Sequence, residues 1–85
     1  MVKFKQIKIY NAVKFDPEIK PWPSHNIAQL KHENQLTNHY ICLTGILDAH
    51  PIKAGDYLVL DEFRNVRHII YSWQIGTEYE LIESD

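Results

Sequence analysis

The chain has 85 residues, 45% of them hydrophobic, with ten aromatic side chains and a formal net charge of −2. That length holds one ordinary domain (1–85), and a domain so small buries only about 60 to 65% of its unfolded surface, so its stability margin is narrow and pairing as a homodimer is one remedy. A sequence pI of 6.2 provides no general phosphate-binding field and excludes non-specific nucleic-acid binding, while the absence of a signal peptide, a lipidation motif or a long apolar run excludes membrane association and leaves a cytoplasmic protein as the expectation.

Residues 2 to 15 read as extended, with Ile7, Ile9, Val13 and Phe15 on one face and Lys8, Tyr10, Ala12 and Lys14 on the other. Val2 and Phe4 fall on the opposite phase, which suggests a bulge near Lys5 and Gln6 or an irregular start. The stretch Lys20-Pro21-Trp22-Pro23 excludes helix and central strand, because each proline lacks a donor and restricts the residue before it. Ser24 can then cap a short helix over residues 25 to 34, with Ile27 and Leu30 turned to the core.

Strand propensity returns from His39 to Thr44, and after Gly45 a second apolar segment beginning at Ile46 and Leu47 ends near Pro51, which predicts a hairpin or tight strand pair. Lys53-Ala54-Gly55-Asp56 is turn chemistry, and Tyr57-Leu58-Val59-Leu60 is apolar on both faces, as a buried central strand is. Asp61 to Asn65 forms the next turn and contains Phe63; Val66 to Ser72 returns antiparallel. One helical turn carrying Trp73 and a last strand from Thr77 to Ile82 complete the chain. The count is five or six strands with at most one short helix: mainly β, as a highly twisted antiparallel sheet or a partly open small barrel.

Charge is segregated along the chain. Lys3, Lys5, Lys8, Lys14 and Lys20 lie in its first quarter, and Glu78, Glu80, Glu83 and Asp85 close it. Such a division marks either a nucleic-acid face or a first strand whose solvated lysines pair with an acidic last strand; the pI favours the second.

The order of short pieces carries a resemblance. Ile9-Tyr10-Asn11-Ala12-Val13-Lys14-Phe15, Pro21-Trp22-Pro23, Leu43-Thr44-Gly45, Ala54-Gly55-Asp56-Tyr57-Leu58-Val59 and Ile75-Gly76-Thr77-Glu78-Tyr79-Glu80 follow one another as in a family of small proteins of tailed phages and prophages, which the chain resembles over nearly its whole length. Ala54 stands where that pattern has proline, Ile75 where it has phenylalanine, and Asn65-Val66 where it has a Gly-Glu hairpin. The resemblance implies a phage-encoded accessory protein and supplies no catalytic residue.

The residues themselves support no enzyme and no cofactor. His25, His32 and His39 recur at seven-residue intervals, which one continuous helix would place on one face, but no Cys or carboxylate falls at a paired short spacing, so no metal site is expected. Asp56 reads as a turn former and Asp61-Glu62 as the wet end of a strand. No phosphate loop, zinc-protease motif or nucleophile elbow is present. Cys42, the only cysteine, sits among apolar residues as an inert thiol.

Binding is the remaining chemistry. Trp22, fixed between two prolines, either presents its indole to a partner or plugs one end of the core. Tyr71 and Trp73 either form an aromatic platform, with Arg64 and Arg67 nearby to meet a base and a phosphate, or cover a face of the core. The expectation is a non-enzymatic binder that inhibits a host protein stoichiometrically, such as a CRISPR effector or another anti-phage defence component. A sequestering binder of a small nucleotide signal and a virion structural or morphogenetic protein are the alternatives.

Overall fold

The computed structural model describes residues 2–5, 9–32, 35–43 and 49–83. Among these residues the chain forms β1 (Val2–Lys5), β2 (Ile9–Lys14), β3 (Ile27–His32), β4 (Gln35–Leu43), β5 (Ala49–Ile52), β6 (Tyr57–Leu60), β7 (Val66–Ile70), a 3₁₀ turn (Ser72–Gln74) and β8 (Glu80–Glu83). They assemble into a five-stranded sheet, order β7-β6-β2-β1-β8, and a three-stranded sheet, order β3-β4-β5. Every named strand pairing is antiparallel. The mainly β expectation holds, and the sheets do not close into a barrel.

Alternation along the strands divides the apolar residues between the two faces of the larger sheet. Leu58, Leu60, Val66 and Ile69 join Phe15 on one face, where Ile27, Cys42 and Ile52 of the smaller sheet meet them. Tyr57, Val59 and Ile70 look the other way and pack with Phe4, Ala12, Tyr10 and Tyr79. The sheet curls enough that Phe4 on β1 meets Tyr57 on β6 across β2, ring centroids 4.7 Å apart. β6 therefore occupies the interior position that an apolar run without alternation requires.

Two side chains tie the layers where backbone pairing cannot. Asn26, held by Ser24, accepts the Val66 N–H at 3.0 Å through Oδ1 and so joins the start of β3 to the start of β7. Asp56 is buried, and its carboxylate accepts the Lys53 N–H at 2.9 Å and the Ser72 N–H at 2.8 Å. One turn-forming acid thus also anchors the 3₁₀ turn. Gly55 precedes it at φ 97°, a conformation that only glycine adopts at no steric cost.

The charge segregation resolves as strand pairing: β1 lies against β8 with Lys3 opposite Glu83 and Lys5 opposite Glu80. Other expectations are corrected. Of the helix expected over 25–34, the described residues 25–32 form none, because Ile27 to Gln29 pair with Tyr40 to Cys42; a lone ten-residue helix poor in good formers gains less than a strand that completes a sheet. Without that helix the seven-residue histidine spacing places no common face.

The opening run is two strands folded back on each other, Val2 opposite Ala12 and Phe4 opposite Tyr10; the expected bulge at Gln6 lies outside the described residues, and a register shift falls between Lys3 and Phe4 against β8. The face assignment of this run changes too. Ala12 is fully buried and Ile9 is 60% exposed, since Phe4, Ile70 and Tyr79 pack with Ala12 and Tyr10, while Phe15 is buried and Lys14 exposed as expected. Gly45, Ile46 and Leu47 lie outside the described residues. Among the described residues eight strands replace the expected five or six, because the expected helix is a strand and the first run is two.

Candidate functional site

Four of the five expected site residues divide between two clefts, and Trp73 lines neither. Trp22 and Arg64 share a cleft of about 460 Å³ with Pro21, Pro23, His25 and Phe63. Arg67 and Tyr71 line a groove of about 290 Å³ with His50, His68, Ile69 and Gln74. Arg64 lines the first of these and Arg67 the second, although three positions separate them in sequence.

The β6–β7 turn builds the first group. Asp61 N–H donates to Asn65 O at 3.0 Å and Arg64 N–H to Asp61 O at 3.0 Å, the bonding of a type I turn followed by a left-handed residue. Arg64 supplies that residue at φ 65°, where glycine ordinarily stands. The Asp61 carboxylate accepts the N–H groups of Phe63 and Asn65, both at 2.9 Å. Those backbone bonds hold it below the usual carboxylate range, Asn65 first, assisted by the Asn65 side chain and by Arg67. A turn so tied presents Phe63 with 72% of its surface exposed.

Trp22 forms the wall behind Phe63. Its ring packs edge-on against Phe15 and Tyr40, and its indole N–H donates to Pro17 O at 3.2 Å. Lys20 Nζ lies 5.2 Å from the ring centroid. The indole is half-buried and belongs to the edge of the core, with Pro21 and Pro23 extending its apolar surface into the cleft. Ile19, 65% exposed, lines the adjoining cleft with Pro21, Pro23 and Arg64.

The second group lies where β7 ends. β7 pairs with β6 through a register shift that leaves Arg67 without a partner position on β6; a bulge of this kind re-aims a side chain. Arg67 Nε donates to Asp61 Oδ2 at 3.1 Å, and the rest of its side chain is exposed. Tyr71 follows the strand rather than lying within it. Its N–H donates to Gln74 Oε1 at 2.9 Å, and the Trp73 indole lies parallel to its ring at 6.0 Å and 8°. Tyr71 packs on the core while Trp73 is 64% exposed. Burial, and then the nearness of Asp56 and Cys42, raises the Tyr71 hydroxyl above its ordinary value.

His68 stacks on Tyr10 at 5.2 Å, and its Nε2 shares a hydrogen bond with the Tyr79 hydroxyl. Among the described residues no group of three or more His, Cys, Asp or Glu could hold a metal ion, and no helix is long and apolar enough to cross a membrane. Phe63 and His50 complete the two clefts without having stood out in the sequence. Phe63 carried a readable signal, an aromatic residue inside a polar Asp-Glu-x-Arg-Asn turn. His50 carried none, because only the packing of β5 near β7 brings it to Arg67.

No protein-family model, curated protein or solved structure matches this chain.

Proposed function

We propose that this protein is a non-enzymatic binding domain that acts by stoichiometric attachment to another protein through the face formed by Phe63, Arg64 and Trp22. One observation carries the reading: a pre-organised turn holds an exposed phenylalanine and a left-handed arginine beside a cleft walled by Trp22, Pro21 and Pro23. Fixing an aromatic and an arginine before binding lowers the ordering cost of association, and aromatic and arginine side chains dominate interface energetics. Non-glycine residues in the left-handed region cluster at binding and catalytic sites. The resemblance to small phage proteins supports a finer form of the reading, in which the partner is a host protein, such as a defence component, and binding inhibits it.

Native mass spectrometry of the tagged domain purified from bacterial host lysate tests this. The expected result is a host protein retained at a fixed stoichiometry by the wild type and lost on Phe63→Ala. Retention of a species of a few hundred daltons in its place would favour a sequestering role, and recovery only with virion particles would favour a structural one; either overturns the reading.

A further inference from the structure

We infer that the groove between β5 and β7 is a second binding site, separate from the Phe63 face, for a small aromatic anion: one aromatic group in a molecule that also bears a carboxylate or a phosphate. The groove is lined by His50, Arg67, His68, Ile69, Tyr71 and Gln74. That lining contains one permanent cation, two imidazoles and no carboxylate; the nearby acids Asp61 and Glu78 lie outside it, each bonded to a lining side chain, Asp61 to Arg67 and Glu78 to Gln74.

Arg67 is held for such a role. Asp61 takes its Nε–H, and Asp61 is itself fixed by two backbone N–H groups and by the Asn65 side chain. The guanidinium therefore has a set direction, and a guanidinium whose Nε is engaged keeps the four N–H donors of its terminal nitrogens for a carboxylate or phosphate.

Tyr71 provides the surface for the ring. It lines the groove, and its orientation is set by the parallel indole of Trp73 and by the Gln74 bond to its backbone. Both polar ends of Gln74 are used, Oε1 by Tyr71 and Nε2 by donation to Glu78 at 2.7 Å, so Gln74 shapes the wall without competing for the anion. The volume of about 290 Å³ lies at the lower end of small-molecule sites, which run from about 300 to 1,000 Å³. One ring with one anionic group fits that space, and a dinucleotide does not.

Charged and uncharged twins test the site by NMR titration of the full chain: benzoate against benzamide, and AMP against adenosine. The expected result is a shift of the Arg67 Nε and Trp73 indole resonances, with the uncharged twin of the preferred pair about tenfold weaker. Arg67→Gln should erase that difference, whereas Arg64→Gln, on the other cleft, should preserve it. Stronger binding of AMP than benzoate assigns the anion to a mononucleotide, and the reverse assigns it to a carboxylate; both outcomes support the site. Equal binding of the twins, or no shift with either pair, overturns it. Because Phe63→Ala leaves this groove intact, the failure of one site is distinguishable from the failure of the other.

Discussion

Asp61 and Arg67 meet at 3.1 Å, Oδ2 to Nε, while the other oxygen of the same carboxylate accepts the N–H groups of Phe63 and Asn65. One side chain therefore orients a residue on each of the two candidate surfaces. The shared support makes a specific prediction: Asp61→Ala should free both Phe63 and Arg67 without unfolding the sheets. Amide hydrogen exchange should accelerate at Phe63 and Asn65 and remain slow at Leu58 and Ile70.

The same carboxylate should respond to acid. Its folded-state pKa is lowered from 3.8 by the backbone bonds from Asn65 and Phe63 and by Arg67. A lowered carboxylate contributes stability that is present above the unfolded value and is lost as pH falls through the folded one. NMR observation of the turn between pH 5 and 2 should show Phe63 and Asn65 released at the acid end, and Asp61→Asn should remove that transition.

Asp56 has a different task. It is 1% exposed and terminates two backbone N–H groups, those of Lys53 and Ser72. Asp56→Ala leaves both part-buried donors without their acceptor at about 1–3 kcal/mol each, so a loss of about 2–6 kcal/mol is expected from urea denaturation. Asp56→Asn retains one acceptor oxygen and should lose less. Equal losses for the two variants would show that the two-sided anchoring is not the source of the stability.

Arg64→Gly separates stability from function. The left-handed conformation costs an L-residue about 1–2 kcal/mol, and glycine adopts it freely at some cost in unfolded-state entropy. A net gain of about 0.5–1 kcal/mol is therefore expected in thermal or urea unfolding. The same substitution should weaken partner retention in the lysate assay, because it removes the guanidinium from the Phe63 face.

Cys42 is fully buried, and desolvation pushes its thiol up to about 11. Ellman's reagent at pH 8 should leave the folded protein untouched and titrate one thiol after denaturation. A thiol raised from 9.0 to about 11 contributes stability that is complete below the unfolded value and is lost as pH rises through the folded one. Cys42→Ala should remove that part of the alkaline decline.

Much of the architecture is local, and for that reason the sequence determines it. Lys53 to Asp56 turn because glycine takes a positive φ and aspartate accepts nearby amides. Tyr57 to Leu60 occupy the middle of a sheet because an unbroken apolar run needs cover on both faces. Ser72 to Gln74 coil once; the opposite charges of β1 and β8 are legible as well, although their pairing joins the two ends of the described chain. What tertiary structure alone decided depends on partners distant along the chain. Ile27 and Leu30 carry a spacing equally suited to a helix, and only β4 alongside makes the segment a strand. The face that β2 buries depends on β1 and Tyr79, which the periodicity of β2 does not contain. Arg64 and Arg67 appear as neighbours in sequence, yet a left-handed residue and a bulge turn one toward Trp22 and the other toward His50. Local preference writes the elements; long-range burial, and the backbone irregularities that serve it, decide which side chains share a cleft.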